Sequence, residues 1–115
     1  MSPDEYQRLA QRTEKPLPRE GRLQHAMLGI TSEAGELADT VKKYVIYGQP
    51  LRILGEASIA EEIGDLLWYV ALLANATGLR LEGLMEANIE KLQRRYPEKF
   101  TEQHAAERLD KKEVA

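Results

Sequence analysis

The segment at residues 58–74, SIAEEIGDLLWYVALLA, constrains the fold more than any other part of the chain. It begins with three acids, Glu61, Glu62 and Asp65, and residues 66–74 then carry no charge. A surface helix keeps a polar face along its whole length, and this segment keeps none after Asp65. We therefore predict a central helix, covered on several sides, whose acids border buried territory and need a partner cation.

Helix signals on both sides of this segment predict an all-α chain. Ser2 with Glu5, and Ser58 with Glu61, have the spacing of capping boxes. Prolines and glycines mark the breaks between helices. The expected helices run from residue 3 to about 14, 19 to about 47, 58 to about 75 and 81 to about 96, with a short one near 102–109. No strand pattern competes with them, so the expected fold is a small four-helix bundle.

Two of the predicted helices carry apolar stripes with helical spacing. The stripe of the second helix consists of Leu23, Met27, Ile30, Ala34, Leu37, Val41 and Tyr44. The stripe of the fourth consists of Leu81, Leu84, Met85, Ile89 and Leu92, with Asn88 in its middle. We expect both stripes to face inward.

Composition excludes several classes of function. A length of 115 residues fits one domain. The formal net charge of −3 and the single short basic stripe argue against a nucleic-acid partner. There is no cysteine, and a nine-residue uncharged run is far shorter than the roughly 20 residues of a membrane span. The polar amino terminus lacks a signal-peptide core, so we expect no membrane partner and a cytoplasmic location.

Two pairs of acids have the spacing of one helical face. Glu33 and Glu36 lie three residues apart on the second helix, and Glu62 and Asp65 do so on the third. Packed together, four such carboxylates would repel strongly without a cation, and oxygen ligands without His or Cys suit Mg²⁺, with Mn²⁺ as a substitute. Acids three apart are also common on solvated faces, and acids in a first turn complement the helix dipole. The uncharged run directly after Asp65 favours the metal.

The fourth helix carries a second polar group in line with its apolar stripe. Asn88, Lys91 and Arg95 would place an amide and two cations on one edge, which suits phosphate oxygens. Cations near a helix end also complement its dipole, and Asn88 could bond a neighbouring backbone. We favour phosphate binding for Asn88 and Lys91.

Together these motifs resemble the MazG family of all-α nucleoside triphosphate pyrophosphohydrolases. The residues that carry the resemblance are 33–37, EAGEL, and 61–67, EEIGDLL, supported by 88–92, NIEKL, and 95–97, RYP. The resemblance covers roughly residues 23–100. It implies a single domain over residues 1–115, with a core at 20–100 and a charged tail at 101–115.

The resemblance also implies an activity and a site. The activity is Mg²⁺-dependent hydrolysis of a (d)NTP to the monophosphate and pyrophosphate, with a house-cleaning role and a biosynthetic role both left open. The metal ligands it implies, which are also the catalytic residues, are Glu33, Glu36, Glu62 and Asp65. The residues it implies at the phosphates are Asn88, Lys91 and Arg95.

One position departs from the family pattern. Many members have two adjacent glutamates at the start of the first motif, and here the first of them is Ser32. In members with the doublet, one glutamate can serve as the base that activates water. Here the role is open to Glu33, to Glu61 or to a hydroxide on the metal.

The apolar third helix also bears on assembly and on alternative functions. Because three short helices cannot readily cover residues 66–74, we predict a homodimer or homotetramer in which this helix contributes to the contact. Related phosphoribosyl-ATP pyrophosphohydrolases share the acid pattern and are one alternative. The other is a non-enzymatic helical module whose third helix binds a partner.

Overall fold

The computed structural model describes residues 1–111. Its elements are α1 (Pro3–Gln11), α2 (Arg19–Val45), α3 (Ile59–Thr77), α4 (Leu81–Arg95), α5 (Glu102–Glu107) and a terminal 3₁₀ turn (Leu109–Lys111). No strand occurs within these 111 residues, so the all-α prediction is confirmed. The end of the predicted tail, residues 112–115, lies outside the described residues.

The predicted capping residues begin the helices. Ser2 Oγ accepts a hydrogen bond from the Glu5 N–H at 3.1 Å, and Ser58 Oγ accepts one from the Glu61 N–H at 3.2 Å. Gly78 ends α3 in the left-handed region, with a φ of 72°. Helix α1 ends three residues earlier than expected, because bonds from Thr13 to the carbonyl of Ala10 tighten its last turn.

Helices α2 and α3 form an antiparallel pair that contains most of the core. Ala26 on α2 and Ala71 and Leu72 on α3 are buried there, and Ala10 of α1 completes the cluster. Small residues allow the helix backbones to approach closely. At Gly29 the approach is so close that the ring of Tyr69 fills the space of a side chain.

The face that α2 buries differs from the predicted one. Ala26 and Gly29 are buried and Glu33 is half-buried, whereas Met27, Val41 and Tyr44 of the apolar stripe are exposed. Within the described residues the stripe is therefore only partly buried, at Leu23, Ile30 and Leu37. The cause is that small residues permit the α2–α3 contact, and large side chains on the stripe would hold the helices apart.

Helix α1 lies across α3 and the start of α4, and Gln7 fixes it there. The buried Gln7 amide donates to Asn75 Oδ1 at 2.8 Å and to the Leu79 carbonyl at 2.7 Å. Its Oε1 accepts from the Leu81 N–H at 2.7 Å. Because this N–H is one of the unpaired donors at the start of α4, Gln7 caps one helix while it anchors another.

Much of α4 faces outward. Leu84, Met85 and Ile89 are between 41% and 55% exposed, and Asn88 is exposed beside them. The expectation that this stripe faces inward is thus not met within a single chain. In residues 1–111 no helix has the length and apolar character to cross a bilayer.

Candidate metal centre

The antiparallel α2–α3 pair brings three carboxylates together. Glu62 and Asp65 share one face of α3, and Glu33 approaches them from α2. One oxygen of each lies within 4.8 Å of the others. Glu33 lies 29 positions before Glu62 and 32 before Asp65, so only the packing of the two helices brings it to them.

Two oxygens of this cluster are buried without a donor. Oε2 of Glu62 and Oε2 of Glu33 accept no hydrogen bond, and Glu62 is only 6% exposed. Burying a carboxylate without a partner is costly, and buried polar groups normally have one. Asp65 is exposed, so the cluster is open to solvent on one side. A cation would satisfy the orphan oxygens.

The pKa shifts within the cluster also favour a bound cation. Burial, together with the carboxylates of Glu33 and Glu36, raises the pKa of Glu62 to about 7. Burial also raises the pKa of Glu33, and the charges of Glu36 and Asp65 add to the effect. Without a cation the acids disfavour one another's ionisation. Glu36, the fourth predicted ligand, is therefore close enough to act on the carboxylates of Glu33 and Glu62.

The donor set fits a hard divalent ion. Carboxylate oxygens on one side and open solvent on the other match the preference of Mg²⁺ for few protein ligands and several waters. Neither His nor Cys belongs to the cluster, which disfavours softer metals.

A cavity of about 530 Å³ adjoins the cluster. It lies between α2, the connecting segment at residues 46–58 and the first turn of α3. Its lining includes Ser32, Glu36, Lys43, Arg52, Ala57 and Glu62. The residue that replaces a family glutamate, Ser32, thus borders the space beside the acids. Its Oγ donates to the Gly29 carbonyl at 3.2 Å.

Two cations of this cavity were not found by sequence reasoning. Lys43 lies seven residues after Glu36, two turns along the same helical face, so its spacing was a usable signal. Arg52 lies in the segment between α2 and α3, where no periodicity assigns a direction to a side chain.

The structure places the predicted phosphate-binding residues elsewhere. Asn88 is exposed and Lys91 is half-buried on α4. Arg95 donates to Asp110 at 2.9 and 3.1 Å. In the described chain these three residues belong neither to the acid cluster nor to the lining of the cavity.

Known proteins share this sequence pattern and fold. A "Gene 37 protein" of Mycobacterium phage L5 is 37% identical over 75 residues, which are 64% of this chain and 65% of that protein. The chain therefore spans just under two thirds of that relative. The uncharacterized protein YvdC of Bacillus subtilis (strain 168) is 36% identical over 73 residues, 58% of this chain and 69% of its own length.

A solved structure and a family profile agree with these relatives. The crystal structure of iMazG from Vibrio DAT 722 matches with a TM-score of 0.64 and 30% sequence identity, over 85% of this chain and 100% of that one. The profile of the MazG nucleotide pyrophosphohydrolase domain matches residues 22–100, which include both acid motifs. On this match, with the acid motifs on the paired helices α2 and α3, the chain belongs to the MazG nucleotide pyrophosphohydrolase family.

Proposed function

We propose that this protein is a Mg²⁺-dependent nucleoside triphosphate pyrophosphohydrolase that converts a (d)NTP into the (d)NMP and pyrophosphate. The observation that carries the proposal is the cluster of Glu33, Glu62 and Asp65, with two buried oxygens that lack donors. Family membership supports the class of reaction. A house-cleaning role in the nucleotide pool would suit such an activity.

In this proposal the four acids hold the ion, and Mn²⁺ can replace Mg²⁺. Glu62 is the anchor because its side chain is buried and packed, whereas Asp65 and Glu36 face solvent and can adjust to a substrate. A bound divalent ion neutralises phosphate charge and lowers the pKa of water.

The reaction adds water across the α–β phosphoanhydride. The water oxygen bonds to phosphorus, the bridging P–O bond breaks, and pyrophosphate leaves with the electron pair. The proton of the water passes to a base. Glu33 is the better placed candidate because it faces the cluster, whereas Glu61 is exposed in the first turn of α3. Phosphoryl transfer depends mainly on such positioning and on charge neutralisation.

We also retain Asn88, Lys91 and Arg95 as phosphate-binding residues, and with them a homodimer or homotetramer. The open apolar face of α4 supports this, since Leu84, Met85 and Ile89 are between 41% and 55% exposed among the described residues. In this proposal the polar edge of α4 would act at the cavity of a neighbouring copy.

The test is a substrate panel. Each NTP and dNTP, with phosphoribosyl-ATP beside them, is incubated with Mg²⁺, and the products are separated by ion-exchange chromatography. We expect a monophosphate and pyrophosphate in equal amounts from at least one triphosphate. Turnover of phosphoribosyl-ATP alone would favour the related biosynthetic activity. Orthophosphate as the first product, or no turnover at all, would contradict the proposal.

Variants connect the activity to the cluster. Glu36→Ala and Asp65→Ala should each abolish turnover while circular dichroism shows unchanged helical content, because both side chains are exposed. Full activity in both variants would refute the metal assignment.

A further inference from the structure

The cavity beside the acid cluster is lined by side chains of both charges. Its acids are Glu36, Asp39 and Glu62, and its cations are Lys43 and Arg52. No aromatic side chain lines it within the described residues, so it offers a nucleobase no stacking surface. The available groups are charged and hydrogen-bonding ones, which suit an anion that also contacts the metal.

The backbone that carries Arg52 is fixed against α3. The Arg52 carbonyl accepts from the Ile59 N–H at 2.9 Å, and the Ile53 carbonyl accepts from the Ala60 N–H at 3.0 Å. The fully buried Ser58 donates its hydroxyl to the Gly55 carbonyl at 2.7 Å. Arg52 is therefore held a fixed distance from the turn that carries Glu62.

The backbone of Lys43 is fixed, but its side chain can exchange Asp39 for another anion. Its carbonyl accepts from the Gln49 N–H at 3.1 Å, which fixes the end of α2. Its Nζ lies 2.9 Å from Asp39 Oδ2, while Lys42 Nζ lies 3.0 Å from Asp39 Oδ1. If Lys43 moves to an anion, Lys42 still neutralises Asp39. The exchange therefore leaves no carboxylate unpaired.

A strained residue lines the same space. Ala57 has a φ of 52°, in the left-handed region that L side chains rarely adopt. Such residues persist where the surroundings fix them, and they are frequent around ligands. Ala57 directly precedes the cap Ser58, so it shapes the turn between Arg52 and α3.

We propose that Lys43 and Arg52 form the subsite for the two terminal phosphates of the substrate, the part that leaves as pyrophosphate. The inference rests on the proposed hydrolysis of a nucleoside triphosphate. Seven residues of helix separate Glu36 from Lys43, about 10 Å of rise, and both side chains line one cavity. The metal-bound end of a triphosphate then lies at the acids and its free end at the two cations. Charge-assisted bonds to phosphate oxygens are among the stronger ones.

The test is direct binding of pyrophosphate in the presence of Mg²⁺, measured by titration calorimetry. We expect Arg52→Gln and Lys43→Gln each to weaken pyrophosphate binding tenfold or more. Lys15→Gln removes an equal charge from an exposed position in the α1–α2 connection and should change the affinity less than twofold. Mn²⁺ binding without pyrophosphate should be unchanged in all three variants.

The outcomes separate the subsite from the proposed function. If the wild-type protein hydrolyses a triphosphate but pyrophosphate binds both cavity variants as tightly as wild type, the subsite is wrong and the function stands. If the variants instead alter the ranking of bases with unchanged pyrophosphate affinity, the cavity holds the nucleoside and the inference falls. If no nucleotide is hydrolysed yet pyrophosphate binding depends on both cations, the subsite stands and the hydrolytic function falls.

Discussion

The ring of Tyr69 lies directly over Gly29, in the space that a Cβ at residue 29 would occupy. Gly29 precedes Glu33 by one helical turn, and Tyr69 follows Asp65 by one turn. This contact between α2 and α3 is therefore adjacent to the acid cluster. This contact sets the distance between the two helices that supply the carboxylates.

A methyl group at residue 29 should disturb both stability and the site. Gly29→Ala must push Tyr69 aside or separate the helices, and overpacking of this kind costs about 1–3 kcal/mol. We expect a lower free energy of unfolding in urea and weaker Mn²⁺ binding. Gly64→Ala is the matched control, since its Cβ would meet open space and should stabilise the helix by up to about 1 kcal/mol. Equal stability of the two variants would disprove the role of the contact.

Glu62→Gln should stabilise the metal-free protein and remove its response to metal. The amide takes away a buried charge that Glu33 and Glu36 repel, but it is a poor ligand. Wild type with Mn²⁺ at 100 times its Kd should gain about 2.7 kcal/mol of stability, seen as a rise in Tm, and the variant should gain almost none. Glu61→Gln, one residue earlier and exposed, should keep the metal response. A metal-dependent rise in Tm in Glu62→Gln would exclude Glu62 as a ligand.

Glu61→Gln serves a second purpose. If Glu61 is the base, this variant loses turnover while Mn²⁺ binding stays at the wild-type level. We expect turnover to persist because Glu61 lies outside the cluster.

The raised pKa of Glu62 predicts that the free energy of unfolding falls as pH rises, whereas for an ion-paired acid it would rise. The ordinary value is 4.5 and the folded value is about 7, so between these pH values the folded protein binds the extra proton. Stability without metal should therefore fall as pH rises through this window and level off above it. Urea unfolding in EDTA from pH 4.5 to 8 measures the slope, and Glu62→Gln should reduce it. If the slope in Glu62→Gln equals that of the wild type, the pH dependence arises from other groups.

The affinity for Mn²⁺ should also depend on the protonation of Glu62, and it should rise with pH where the stability of the metal-free protein falls. Because a ligand carboxylate must be deprotonated, the affinity for Mn²⁺ should rise with pH up to about 7, the pKa of Glu62, and then change little. Calorimetric titrations in buffers of different ionisation enthalpy would report the released proton. Affinity that is constant between pH 5 and 8 would contradict the assignment.

The ion pair of Arg95 with Asp110 should hold the carboxyl-terminal segment on α4. The Asp110 side chain is fully buried and that of Arg95 is 19% exposed. The Arg95 guanidinium keeps the pKa of Asp110 well below its usual range, so the pair persists in mild acid. Asp110→Asn should speed hydrogen exchange in residues 102–111 and leave α2 and α3 unchanged. Unchanged exchange in that segment would show that other contacts hold it.

The same variant tests the role of Arg95 at phosphate. If Arg95 also binds the substrate, Asp110→Asn frees it and should lower KM for the triphosphate, whereas Arg95→Gln should raise it. An unchanged KM in both would leave Arg95 with the anchoring role alone.

The open face of α4 predicts self-association. Contiguous apolar surface of this kind is usually covered, so light scattering at micromolar concentration should report a dimer or tetramer. Ile89→Asp should shift the population towards monomer. Gln93→Asp adds the same charge at an exposed polar position of α4 and should not. A compact wild-type monomer would rule the assembly out.

The helices of this chain are encoded locally in the sequence, whereas the site is only partly so. Caps such as Ser2 and Ser58, and breaks such as Pro50 and Gly78, act locally. The sequence therefore predicts the limits of the helices to within a few residues. Spacing of three also places each pair of acids on one helical face, but it does not bring the two pairs together. That these acids bind a metal remains a prediction, now with three carboxylates shown within 4.8 Å.

By itself the sequence determined the all-α class, the helix limits and the pairs of acids, because capping, periodicity and i,i+3 spacing act within a few turns. Only the tertiary structure decided which face of α2 is buried, that Arg52 and Lys43 line one cavity and that Asp110 pairs with Arg95. These depend on contacts between residues far apart in the chain. The Gly29–Tyr69 contact decides which face of α2 is buried. A glycine adds no apolar side chain to the periodic pattern, so its importance becomes visible only once α3 packs against it.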